Sequence, residues 1–195
     1  MAVQSYWLVI GSGPFRVCGV RIAVMNQINL AMFVLRVSVG LMIVMHGYAH
    51  VWKKGALAIK GTASWFGSMG MRSPITQAWL ASITEIGSGV LLVLGLLTPL
   101  ASAGVFGIMV VAFVIAHRSN GFFIYNPGQG WEYVAMIMMM TIAIGTVGAG
   151  EWSLDNAFDI TWFSGWRGLV AVLAIGGGGA LALLVTCWRP PTKKT

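Results

Sequence analysis

Charged residues are scarce in this chain. Only 9% of its 195 residues are Asp, Glu, Lys or Arg, and 57% are hydrophobic, whereas a soluble domain carries charge at about a quarter of its positions. The mean hydropathy of +0.82 agrees with that imbalance. The composition excludes a domain with an ordinary charged surface and predicts an integral membrane protein.

The sequence also lacks the strict alternation of apolar and polar residues that is typical of a membrane β-strand. Its apolar runs are continuous, and in lipid such a run satisfies its backbone hydrogen bonds as a helix. We therefore predict an all-α integral membrane protein. Five membrane-spanning helices are expected, at residues 29–51, 77–97, 99–117, 132–149 and 166–188. The glycine-interrupted segment 52–76 should instead rest Trp65, Phe66 and Met69 at the membrane surface.

Cysteine is scarce as well. Cys18 precedes the first predicted span and Cys187 ends the fifth, so we expect the two thiols to face opposite sides of the membrane. The chain has no C-x-x-C motif. It therefore has no dithiol relay of its own, and a redox role would require electrons from a partner.

Acidic residues number only five against twelve basic ones, giving a net charge of +7. The basic residues follow helix ends rather than one face, which argues against a nucleic-acid partner and indicates membrane topology instead. One side of the membrane, with loops 1–2 and 3–4 and the C-terminus, receives Lys53, Lys54, Lys60, Arg72, Arg118, Arg189, Lys193 and Lys194. The positive-inside rule predicts that this side is cytoplasmic.

Ionisable residues inside predicted spans are candidates for function, because each one is costly in hydrocarbon without a partner. At 100° per residue, one face of the first helix carries Arg36, Gly40, His46, Gly47 and His50. One face of the second carries Ala78, Ala81, Ser82, Glu85, Ser88 and Gly89. Both faces should look inward, with the small residues permitting close helix contact.

The order of the spans places five ionisable residues in the same half of the membrane: His46, His50, Glu85, His117 and Glu132. The turn "SNGFFIYNPGQGW" should cover them, with Phe122, Phe123 and Trp131 supplying flat apolar walls. We take His46, Glu85 and Glu132 as candidate proton-exchanging groups. His50, His117, Phe122, Phe123 and Trp131 are candidate ligand-binding residues. Arg36 lies towards the opposite side, where Asp155 or Glu151 would pair with it.

Several motifs carry a resemblance to a known family. They are "LRVSVGLMIVMHG", "GTASWFGSMGM", "EIGSGVLLVLGLLTPLAS", "NGFF", "GWEY" and "SLD", in that order. Over about residues 33–157 the chain resembles the DoxX family, which includes the DoxD-type subunit of thiosulfate:quinone oxidoreductases. The resemblance implies a four-helix membrane bundle in a prokaryotic plasma membrane.

With that resemblance, the chain divides into four parts. They are an amphipathic lead-in (1–28), a DoxX-like four-helix membrane domain (29–157), an additional transmembrane helix (158–189) and a basic tail (190–195). The lead-in and the fifth span depart from the family pattern, and they suggest an extra docking surface.

Three functional hypotheses remain open. The first is a subunit linked to quinone, thiol or sulfur-compound redox chemistry, with quinone as the possible cofactor and a protein partner supplying electrons. The second is a non-catalytic subunit of a larger, respiratory-type membrane assembly. The third is a metal site built from the three histidines and two glutamates. Because these five residues lack a diagnostic spacing, the sequence assigns no metal ligands.

Overall fold

A computed structural model describes the backbone of residues 14–52 and 58–190 and the side chains of residues 25–52 and 58–190. The described residues form helices joined by turns. The helices are α1 (Pro14–Trp52), α2 (Ala58–Ser68), α3 (Pro74–Leu94), α4 (Thr98–Ala112), α5 (Glu132–Val147), α6 (Leu154–Ala157), α7 (Trp166–Ala171) and α8 (Gly178–Cys187). Helix α4 continues as a π-helical turn over Phe113–His117, and a second π-helical segment, Val172–Gly177, joins α7 to α8. A 3₁₀ turn covers Thr161–Phe163.

Four helical stretches are long and apolar enough to cross a membrane: Met25–Trp52, Pro74–Leu94, Thr98–His117 and Trp166–Cys187. We call the last of these the C-terminal span. The predicted all-α membrane architecture is confirmed. The expected fourth span, however, is the 16-residue apolar helix α5. At ~1.5 Å per residue it is about 24 Å long, shorter than a hydrocarbon core of about 30 Å.

The first helix begins earlier than the sequence predicted. Helix α1 starts at Pro14, so the second half of the expected lead-in continues into the span as one helix. Residues 1–13, Lys53, Lys54 and the tail from residue 191 lie outside the described residues. The division of the chain into four parts remains a prediction.

Helices α1 and α3 pack through small residues. A Cβ atom added to Gly40 would lie 2.7 Å from the carbonyl oxygen of Gly89, and one added to Gly89 would lie equally close to that of Gly40. The backbones therefore approach to the distance that only glycine permits. Further along α1, a Cβ on Gly47 would lie 2.8 Å from the Cβ of Glu85. The two faces predicted to look inward thus face each other.

Two features stabilise the hairpin between α3 and α4: the left-handed conformation of Gly95 and the carboxylate of Asp155. Helix α3 ends at Gly95, which has φ of 63°, and its backbone N–H donates to the carbonyls of the preceding turn. The Asp155 carboxylate accepts hydrogen bonds from the backbone N–H groups of Leu97 (2.7 Å) and Thr98 (2.9 Å). An acidic group from the loop after α5 therefore caps the N-terminus of α4, where negative charge is favourable.

Arg36 is the largest fully buried side chain in the described part of the protein, with 1% exposure. Its guanidinium donates to the carbonyl oxygens of Leu92 (3.0 Å), Val93 (2.5 Å), Ala149 (3.2 Å) and Trp152. Two of these oxygens belong to the last turn of α3, where few backbone donors remain; the Leu92 oxygen also accepts from the Gly95 N–H. The predicted salt bridge from Arg36 to Asp155 or Glu151 is wrong. Backbone carbonyls at a helix C-terminus meet the charge instead.

The C-terminal span is an integral wall of the bundle. It approaches α4 at Gly107, where an added Cβ would lie 2.8 Å from the carbonyl oxygen of Gly176. Beyond its end, the indole N–H of Trp188 donates to the carbonyl of Met69 (2.9 Å), and Arg72 N–H donates to that of Cys187 (2.7 Å). The helix that departs from the family pattern is therefore fastened to the rest at its middle and at its end.

The α1–α3 contact can be tested with two glycines of the same helix. Alanine at either Gly87 or Gly89 improves helix propensity by about 1 kcal/mol. Nothing lies within 4 Å of a Cβ on Gly87, whereas one on Gly89 meets α1. We expect Gly89→Ala to lower the free energy of unfolding by about 1–3 kcal/mol, and Gly87→Ala to leave it unchanged or raise it. Denaturant titration in mild detergent micelles measures both. Equal effects would show that the helices are not in close contact at Gly89.

Arg36 offers a second test. Replacing it by Leu removes a donor from four buried or part-buried carbonyl oxygens, of which that of Leu92 keeps the Gly95 N–H, and we expect a loss of about 3 kcal/mol or more. Arg36→Lys keeps the charge but not the planar fork of donors, so it should recover only part of that loss. Arg167, which is exposed near the start of the C-terminal span, serves as the control, and Arg167→Leu should change stability little. Full recovery by Lys would mean that charge alone matters.

Candidate functional site

The bundle contains a half-open cavity of about 1160 Å³. Its wall is mostly apolar and comes from α1 to α5, the turn after α4 and the C-terminal span. Each helical element contributes apolar side chains to this wall. Examples, in chain order from α1 to the C-terminal span, are Met42, Phe66, Leu80, Ile108, Ile137 and Leu183. A cavity of this size and lining suits an apolar molecule with a small polar group.

The cavity exists because many of the residues that line it are glycine or alanine and fill little volume. Helix α4 presents Ala103, Gly104, Gly107, Ala112 and Ala116 to the cavity. The C-terminal span faces them with Gly176, Gly179 and Ala180. These small residues let the backbones approach at Gly107, and they leave room on either side of that contact.

We call the cluster of His46, His50 and Glu85 the polar end of the cavity. The wall also carries other polar side chains: Gln77, Thr84, His117, Ser119, Asn120, Gln129 and Tyr133. One nitrogen or oxygen atom from each residue of the cluster lies within 4.8 Å of those of the other two. The Nε2 atom of His50 is 3.7 Å from Oε2 of Glu85, and the rings of His46 and His50 meet edge to face with centroids 4.8 Å apart. Helix α1 supplies both histidines one turn apart, and Gly47 between them admits α3 with Glu85.

Glu85 is only 3% exposed, and its Oε2 atom has no hydrogen-bond partner among the described residues. The 3.7 Å separation from His50 is too long for a hydrogen bond. A buried carboxylate without donors is unfavourable by several kcal/mol. Glu85 therefore requires a proton, an imidazolium or a bound cation beside it.

Thr62 of α2 orients His50. Its hydroxyl lies within 3.2 Å of the carbonyl oxygens of Ala58 and His50, and 3.4 Å from Nδ1 of His50. The hydroxyl hydrogen points either to a carbonyl or to Nδ1, and the tautomer of the ring follows from that choice. When a carbonyl accepts it, Nδ1 is the donor in its contact with Thr62. In the neutral ring, the lone pair of Nε2 then faces Glu85.

His117 plays a different role at the same cavity. Its Nδ1 donates to the carbonyl of Gln129 (2.9 Å), and its Nε2 lies 2.8 Å from the hydroxyl of Tyr133. Because a carbonyl only accepts, the neutral ring receives the hydroxyl hydrogen of Tyr133 at Nε2. Both nitrogens are used, so His117 fastens the turn after α4 to α5.

The remaining candidates lie away from the cavity lining. Glu132 is half-buried at the start of α5. The rings of Phe122 and Trp131 meet edge to face at 4.8 Å, and those of Phe122 and Phe123 at 5.2 Å. These four side chains are absent from the cavity wall, to which the turn contributes Ser119, Asn120, Gly128 and Gln129 instead. The structure thus brings together His46, His50, Glu85 and His117 but not the aromatic turn.

Sequence reasoning missed Tyr133 and Thr62. Tyr133 stands next to Glu132 in "GWEY", and adjacent helical residues point about 100° apart, so the inward one was not evident from the motif. Thr62 lies in "GTASWF" in a segment expected only to rest on the membrane. The 3.6-residue period of α2, which buries Ile59, Ala63 and Phe66, is the signal that would have indicated an inner face.

Comparison with known proteins finds one family. The family model described as DoxX matches residues 31–118, a segment that holds most of α1, all of α2 to α4, and His46, His50, Glu85 and His117. Neither a curated protein nor a solved structure matches the chain. This is therefore a multi-helix membrane protein that is similar to the DoxX family over the segment carrying the polar end of the cavity.

The cavity itself can be tested with two alanines one turn apart on α3. Ala81 lines the cavity and is only partly buried at the edge of the hydrophobic cluster with α2, whereas Ala78 has 0% exposure and lies inside that cluster. We expect Ala81→Leu to be tolerated with little change in melting temperature. Ala78→Leu should destabilise the protein by about 1–3 kcal/mol through overpacking. Equal destabilisation in thermal melts would contradict the presence of free space beside Ala81.

Proposed function

We propose that this DoxX-like protein is a redox-linked membrane subunit that binds a quinone-like, lipid-soluble ring in its cavity. The observation that carries the proposal is a mostly apolar cavity inside a membrane protein, with the cluster of His46, His50 and Glu85 on its wall. A small-molecule site typically has a volume of about 300–1,000 Å³ and a few convergent polar groups. The space is sufficient for a ring and the first part of an apolar tail.

The polar end suits the proton chemistry of a quinone. Reduction of a quinone to a quinol adds two electrons and two protons, and one proton reaches each ring oxygen. Glu85, His46 and His50 surround the point where a ring oxygen would lie, and carboxyl and imidazole groups are the usual proton donors in proteins. In this role Glu85 supplies or receives the proton, and the histidines hydrogen-bond the oxygen.

The electrons would come from a partner protein. The sequence has two cysteines and no C-x-x-C pair, so the proposal assigns this chain the quinone side of the reaction. In the thiosulfate:quinone type of assembly suggested by the sequence motifs, the donor would be a sulfur compound. We place the protein in a prokaryotic plasma membrane with the polar end of the cavity on the basic, cytoplasmic side.

Quinone binding can be measured through Trp65, because quinones quench indole fluorescence at short range. Trp65 lines the cavity, whereas Trp79 lies on α3 outside the lining. We expect titration of metal-free protein in detergent with decylubiquinone to give saturable quenching. The quenched amplitude should fall in Trp65→Phe and stay unchanged in Trp79→Phe. Ala81→Leu should weaken binding by tenfold or more.

Quinone dissolved in the micelle quenches every surface tryptophan without saturation, and the Trp79→Phe variant separates that effect from binding. If quenching does not saturate, or if Ala81→Leu binds like the parent protein, the cavity does not hold a quinone-like ring. The accessory-subunit hypothesis would then account better for the chain. Copurification of a stable membrane complex without bound quinone would support it.

A further inference from the structure

We infer that His46, His50 and Glu85 form a binding site for one divalent transition-metal ion of the zinc or iron class. Two imidazoles and one carboxylate are a recurrent ligand set for such ions, and they leave coordination positions open. The three residues come from two helices whose relative position is fixed by glycine contacts. Sequence spacing gave no sign of this set, because Glu85 follows His50 by 35 residues on another helix.

The geometry is close to what an ion requires. Ligand atoms around a tetrahedral ion at about 2.0–2.2 Å lie about 3.3–3.6 Å apart. In the structure, Nε2 of His50 and Oε2 of Glu85 are 3.7 Å apart, and all three ligand atoms lie within 4.8 Å of one another. Side-chain rotations that move the ligand atoms by about 1 Å would bring all three within bonding distance of one ion.

The unsatisfied oxygen of Glu85 is the independent observation that points to a ligand. This side chain is 97% buried, since its exposure is 3%, and its Oε2 atom lacks a hydrogen-bond partner. A divalent ion would compensate the carboxylate charge and fill that oxygen's unused bonding capacity. Among the three inward-facing histidines and their neighbours, no described donor does so.

The histidines differ in whether a ring nitrogen is free to bind an ion. Thr62 contacts Nδ1 of His50, and Nε2 of the same ring is the nitrogen that faces Glu85. Such outer hydrogen bonds orient metal-binding imidazoles. His117 has both ring nitrogens occupied, by Gln129 and Tyr133, so it is not a ligand. The ion would therefore be bound by three protein ligands rather than four.

This inference deepens the proposed function. It rests on that function only where it has a bound quinone-like ring contact the ion. The open coordination positions would face the cavity, where an oxygen of a bound ring would reach the ion. Glu85 and the histidines would then act as ligands, and the proton exchange proposed above applies to the metal-free site. Metal binding itself needs no quinone, so the two proposals fail independently.

The experiment uses full-length protein purified in detergent with a tag that contains no histidine and stripped with EDTA. Titration with Co²⁺ is followed by visible absorption, and titration with Zn²⁺ by calorimetry and thermal melting. We expect one ion per chain and a rise in melting temperature with free Zn²⁺, as linkage requires. Glu85→Gln, His50→Gln and His46→Gln should each weaken binding by at least tenfold, and Thr62→Val by a smaller factor.

Glu132→Gln is the matched control, because it makes the same substitution at a glutamate outside the cavity. It should bind the ion like the parent protein. If Glu85→Gln does not fold, His46→Gln still tests the site, because His46 is exposed towards the cavity. Absence of saturable binding at sub-millimolar Co²⁺ and Zn²⁺ would overturn the inference. Binding that survives both the His46 and the His50 substitution would do the same.

Discussion

The structure depends on the requirement that every polar group in hydrocarbon be matched within the protein. Among the polar side chains buried on α1 and α3, two are ionisable: Arg36 towards one end of the pair and Glu85 towards the other. Arg36 is surrounded by four carbonyl oxygens, whereas an oxygen of Glu85 has no donor. One end of the pair is therefore complete on its own, and the other is complete only with a proton or a ligand.

The glycines that join these helices determine where both groups lie. Gly40 and Gly89 make the closest contact, between the two ends, and Gly47 makes room for Glu85. Close contact there, together with that of α4 and the C-terminal span at Gly107, leaves the remaining volume as a cavity between the two helix pairs. Small residues thus have two effects: they bring backbones together in one place and leave space in the next.

Much of this arrangement could be predicted from the sequence, because helical periodicity determines which residues share a face. That argument placed Glu85 opposite the α1 face with His46 and His50, and it placed Arg36 at the other end. Helical periodicity did not predict the partners of Arg36. These partners are backbone carbonyl groups, and a pattern of side chains does not show where such groups lack a donor. Periodicity also failed to place Phe122, Phe123 and Trp131, because the fold of their turn depends on positive φ angles at Gly121, Gly128 and Gln129. In this turn the aromatic rings pack on one another rather than over the cavity.

The two ends of the cavity differ in what can enter them. Its apolar flank includes Trp65, Leu80 and Ile175, which are exposed on the outside of the bundle and would face lipid tails. A molecule that enters there must be soluble in hydrocarbon. His50 lies two residues before the end of α1, beside the short helix α2, so protons and ions have a short route from the membrane surface. If the cavity opens to lipid at this flank and to water near His50, a lipid-soluble ring and a proton or ion would meet at Glu85, whose buried carboxyl oxygen has no hydrogen-bond partner among the described residues.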